Sequence, residues 1–95
     1  MPEFLDQNGN PFRSGFYLDT KLNSIIYTKG VDEKGFLTLE EPPASIMLSP
    51  RNPLAFLRSI EFQHIENPKE YAQQHQKFKQ FILERISLLE KEAVA

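Results

Sequence analysis

NPKEYAQQHQKFKQFILERISLLEKE, residues 67–92, is the stretch whose reading decides the fold. It opens with an asparagine cap at Asn67, a proline at the first helical position and a glutamate three residues past the cap, a capping-box arrangement. From Lys69 to Glu92 there is no glycine or proline, and the filling is mostly Gln, Lys, Glu, Leu and Ala, all good helix formers. The pattern predicts one long helix over 67–92.

At 100° per residue, Tyr71, His75, Phe78, Ile82, Ile86, Leu89 and Ala93 fall in one arc of roughly 80°. Phe81 and Leu88, seven apart, form a second ridge beside it, with Gln74 and Arg85 between the two. Two arrangements fit. In one, the whole is a single wide face whose Arg85 carries its guanidinium out to the rim. In the other, the main stripe packs on the chain's own sheet while Phe81 and Leu88, flanked by Arg85 and Gln74, meet a partner.

Upstream, the turn formers cut the chain into short β-type runs. Gly15 to Leu18 and Ile25 to Lys29 are rich in β-branched and aromatic residues and read as an antiparallel pair. The glycine-bounded turn from Gly30 to Gly35 leads into a third strand, Phe36 to Glu40, and Pro42-Pro43 stops it because proline has no N–H for the ladder. Ser45 to Leu48 is a short fourth strand. The segment from Pro53 to Arg58 reads as a helical turn. Beyond Ser59 the apolar residues alternate, so Ile60 to His64 reads as a strand with Ile60 and Phe62 on one face. Residues 1–13 are either a flexible tail or an edge hairpin turning at Asn8-Gly9, with Leu5 opposite Phe12. The expected fold is therefore α+β: an antiparallel meander of three to five strands over 15–65, followed by the helix of 67–92. A meander closed by a last strand after a helical turn is also how small SH3-like rolls are wound, a fold-level analogy that carries no function.

Ninety-five residues make one domain with a modest core. Eleven aromatic residues, eight of them Phe, point to a core built on rings. The formal charge of −2 predicts no general affinity for nucleic acid or anionic membrane. The lack of cysteine removes disulfides, thiolate catalysis and zinc ribbons, and argues for a cytoplasmic chain. No apolar run is long enough for a signal-peptide core or a membrane span.

Catalytic equipment is sparse. His64 ends a strand and is expected in solvent. His75 falls on the apolar stripe and is expected in the core or at its boundary. The two are eleven apart with no third His or Cys, so no metal-ligand spacing exists. Glu40 and Glu41 are neighbours on a strand and point to opposite faces, which suits paired acid–base work poorly. No enzyme, cofactor or metal is expected. Phe12, Arg13, Phe16 and Tyr17 interleave rings with one cation, the makings of a stacking platform for single-stranded RNA, but the surrounding cations are too thinly spread for a backbone-tracking groove. The expected function is thus a non-catalytic protein-interaction or assembly module, with the C-terminal helix as contact surface and another protein or a second copy as partner. The alternative is a small RNA-binding barrel using Phe12, Arg13, Phe16 and Tyr17.

Overall fold

The computed structural model describes residues 3–41 and 44–94, so the expected proline stop at Pro42-Pro43 lies outside the described residues. The chain divides into two compact units with the boundary after Ile65. Each is described by itself.

The first unit is a five-stranded antiparallel sheet: β1 (Gly15–Asp19), β2 (Ser24–Val31), β3 (Leu37–Glu41), β4 (Ala44–Leu48) and β5 (Phe62–His64). Helix α1 (Pro53–Ser59) precedes β5. The order across the sheet is β4-β3-β2-β1-β5, which returns the last strand to the side of the first, as in the SH3-like winding. β4 and β5 lie at opposite ends of that order, so the sheet is open.

Register puts Tyr17 opposite Ile26 and His64, and Asp19 opposite Phe62. One face therefore carries Tyr17, Ile26, Leu37, Leu39 and Phe62, which form the core with Phe4, Phe12 and Ala55. The other face carries Phe16, Ile25 and Tyr27, all buried, with the Phe16 and Tyr27 rings 5.4 Å apart. The β2–β3 register shifts between Thr28 and Val31, where Gly30 holds φ +89°. A Cβ there would sit at an ordinary 3.5 Å from the Phe12 carbonyl oxygen, so it is the left-handed backbone that calls for glycine at this position.

Two expectations in this unit are corrected. Of the two readings of the N-terminal stretch, residues 3–13 follow the hairpin turning at Asn8-Gly9, with a different pairing from the expected one. Leu5 bridges Pro11 rather than Phe12, and Phe4 and Phe12 are core side chains. The turn is organised by the buried Asp6, whose Oδ1 accepts from the Asn8 and Asn10 amides at 2.9 and 3.1 Å. Ile60 is likewise not in a strand. The helix runs on to Ser59, and Ile60 is its exposed C-cap, donating its N–H to the Arg58 carbonyl. β5 starts at Phe62, so Ile60 and Phe62 do not share a strand face.

The second unit is two helices rather than the expected one: α2 (Pro68–Gln74) and α3 (Gln76–Val94). The start is as read, with the Asn67 side chain accepting from the Glu70 amide at 3.3 Å and Pro68 at the first turn. The break falls at His75, which has φ −129° and ψ 85°. Its amide and its ring Nδ1 both reach the Tyr71 carbonyl, at 3.0 and 3.1 Å, and its ring stacks on Tyr71 at 3.9 Å. The Phe78 amide then donates back to the His75 carbonyl at 3.0 Å, starting α3. One residue thus ends one helix and opens the next without glycine or proline. Lys69 reaches Glu90 at 3.8 Å. Lys69 is six residues before the break and Glu90 fifteen after it, so at ~1.5 Å rise per residue the pair meets only because α2 folds back alongside α3.

Candidate interaction surface

Asn52 and Pro53 start α1 as a capped helix: the Asn52 side chain accepts from the Leu54 amide at 3.0 Å. Ala55 and Ser59, four apart, are its buried line, and the Ser59 hydroxyl donates to the Phe56 carbonyl at 2.8 Å. Phe56 stacks on Phe4 with ring centroids 4.6 Å apart. A seven-residue helix is marginal alone, and a clamp secures this one. Arg58 donates through Nη1 to Asp19 Oδ1 at 3.1 Å and to Glu61 Oε2 at 2.6 Å, and through Nη2 to Asp19 Oδ2. Its guanidinium also lies 5.0 Å from the centre of the Phe62 ring. The Asp19 hydrogen bond is the largest reason that the Arg58 guanidinium is pushed above its ordinary value.

With its inner line buried and its flank clamped, α1 turns its leucines outward. Leu54 is 69% exposed and Leu57 62% exposed, and Ile60 follows at 51%. On β4, Ile46 is 48% exposed on the face that carries α1, and Met47, 63% exposed, points to the opposite face. Ile46 and Arg58 line one shallow hollow of about 50 Å³ with Leu22, itself a mostly exposed leucine. Ile46 of β4, Leu22 of the β1–β2 turn and the Arg58 stem of α1 therefore share one depression, while Leu54 and Leu57 stand exposed elsewhere on α1. Scattered apolar residues are ordinary on a protein surface, whereas a gathered set marks a contact face.

A second concavity, an open cleft of about 410 Å³, lies by the β2–β3 turn between Glu3, Pro11, Val31, Glu33 and Pro50. Asp32 in its wall holds the turn, accepting from the Lys34 and Phe36 amides at 2.8 and 2.9 Å. Neither histidine lines this cleft.

The residues singled out for RNA do not form a stacking platform. Phe12, Phe16 and Tyr17 are buried, with Phe12 and Tyr17 in the core and Phe16 on the opposite sheet face. Arg13 is exposed; its Nη2 lies 3.2 Å from His64 Nδ1, and its amide donates to the Tyr17 hydroxyl at 3.1 Å. His64, expected in solvent, is half-buried, its ring edge-on to Tyr17 at 5.0 Å. His75, expected in the core, is exposed at the helix break.

The helix residues separate as well. Gln74 ends α2, so it does not share a helix with Phe81, Arg85 and Leu88. On α3, Phe81 and Arg85 are half-buried together with Phe78, Ile86 and Leu89, and Ile82 is fully buried. Of the second ridge, Phe81 is thus half-buried and Leu88 exposed. The α1–β4 surface was missed by sequence reading. Its one signal was Leu54, Leu57 and Ile60 at three-residue spacing after an N-cap.

Among the described residues, no group of three or more His, Cys, Asp or Glu side chains is placed to hold a metal ion, and no helix is long and apolar enough to cross a membrane. No family model, no curated protein and no solved structure matches the chain.

Proposed function

We propose that this protein is a non-catalytic interaction module whose principal contact surface is the outer side of α1, carrying Leu54 and Leu57, with Ile46 of β4 and Leu88 of α3 as lesser contacts. The observation that carries this reading is the outward placement of Leu54 and Leu57 on a helix that is otherwise anchored by Ala55, Ser59 and Arg58. A helix held so firmly could have turned polar residues to water. Exposed leucines on a rigid support are what a partner uses as anchors, because little side-chain and backbone entropy is lost on docking.

The experiment is site-specific photo-crosslinking in cells, with the reactive group at position 57 and, as control, at the exposed Glu33 of the β2–β3 turn. Discrete adducts from position 57, absent from position 33 and lost in the Leu54→Ser variant, are the expected outcome. No adducts, or the same adducts from both positions, overturn the reading.

A further inference from the structure

We propose that the outer edge of β4 is a self-association site, at which two copies of this chain pair β4 with β4, antiparallel about a two-fold axis that passes between the two Ile46 residues, to make one continuous sheet. This deepens the interaction-module reading and rests on it.

The two edges of the sheet are treated differently. Beyond β5 the chain supplies its own cover: the Phe62 carbonyl, pointing away from β1, accepts from the Gln7 amide at 2.8 Å. β4 ends the strand order, and no described strand lies beyond it. Exposed edges are normally blunted by an inserted charge, a proline or a bulge. β4 reads Ala-Ser-Ile-Met-Leu, with no charge and no proline. It pairs with β3 over five consecutive positions without a register shift. What it presents is a row of main-chain donors and acceptors that water satisfies in the free chain and that a second extended strand can take over.

The strand complements itself. Turned about Ile46, it sets Ile46 against Ile46 and Ser45 against Met47, so no charge meets a like charge. The axis stands perpendicular to the sheet, so each face continues into the same face of the other copy. Ile46 and α1 share one face, since Ile46 and Arg58 line one hollow over Ile26 and Leu39. Both copies therefore bring their Ile46 side chains to the same side of the joint. A five-residue pairing alone falls short of the ~800 Å² per partner typical of stable complexes, and these side chains supply further apolar area. Because the β5 edge is covered, head-to-tail addition is closed off and the pairing stops at two.

The test uses the full chain: mass by sedimentation equilibrium over a dilution series, with amide exchange of residues 44–48 followed in parallel. The expected result is a reversible doubling of the 11.0 kDa mass, with the amides that face away from β3 losing protection on dilution while those bonded to β3 keep it. Ile46→Lys should give a monomer at every concentration with an unchanged circular dichroism spectrum. If that variant fails to fold, Met47→Lys makes the same test from the opposite sheet face. A wild-type chain that stays monomeric at the highest attainable concentration overturns the proposal. So does a dimer that survives both lysines. If that dimer is dissolved by Leu54→Ser with Leu57→Ser, edge pairing fails while the interaction-module reading stands.

Discussion

Arg58 closes on the Asp19 carboxylate from 39 positions away, and the carboxylate it meets is almost wholly out of water. Asp19 Oδ1 also accepts from the Lys21 and Leu22 amides, at 3.1 and 3.2 Å, so one acid ties the β1–β2 turn to α1. Removing the guanidinium leaves that buried acid with the two amides alone. Removing one partner of a buried pair typically costs 3–5 kcal/mol, and the partial exposure of Arg58 places this case toward the lower end, at about 3 kcal/mol. Arg58→Leu should therefore unfold at clearly lower urea than wild type, whereas Glu61→Gln, at the more exposed end of the clamp, should lose less than about 1 kcal/mol. Equal losses in the two variants would show that Asp19 is not the anchor.

Stability at alkaline pH should depend on Tyr17. Burial, the largest cause, pushes its hydroxyl above the ordinary 10.0, while the Arg13 amide hydrogen bond works against that rise. The folded state thus holds the proton more tightly than the unfolded state. By linkage, the contribution is fully present below pH 10 and is lost as the pH rises through the folded value. Burial raises Tyr71 in the same direction, so Tyr17→Phe should flatten part of the alkaline decline without abolishing it. Urea titrations from neutral pH to above pH 10 read this directly. An unaltered slope in Tyr17→Phe would count against the assignment.

On α3, the difference between Ile82 and Leu88 should appear as a difference in stability. Ile82 is fully buried, and truncation to Ala should cost about 2–4 kcal/mol through lost burial and the cavity left behind. Leu88 is half exposed, and Leu88→Ser should stay within about 0.5 kcal/mol of wild type. Phe81→Ser, at a half-buried position, should fall between them. Thermal melts of the three variants check the order. A Phe81→Ser protein as stable as wild type would favour the two-ridge arrangement over the single wide face.

What the sequence determined by itself was local. Asn52-Pro53 and Asn67-Pro68 start helices because cap, proline and first-turn amides lie within three residues of one another. The four strands of the meander follow from β-branched and aromatic runs cut by turn formers, and their bounds shift by only a residue or two. The antiparallel order of β1 to β4 needs nothing beyond short connections.

Tertiary structure decided the rest, because the deciding contacts join residues far apart in the chain. Phe12, Phe16 and Tyr17 have the composition of a stacking platform, but Phe12 and Tyr17 became interior when β5 and the N-terminal turn closed around them, and Phe16 is buried on the other sheet face. The break at His75 is invisible to a helical wheel, since Tyr71, His75, Phe78 and Ile82 keep the helical period straight through it. It exists because a ring, an amide and one carbonyl bond locally while α2 folds back to bring Lys69 to Glu90. The α1–β4 surface was hidden for the same reason. Which of Leu54, Ala55, Leu57 and Ser59 face inward depends on where Arg58 finds Asp19, and that partner lies on a strand 39 residues earlier.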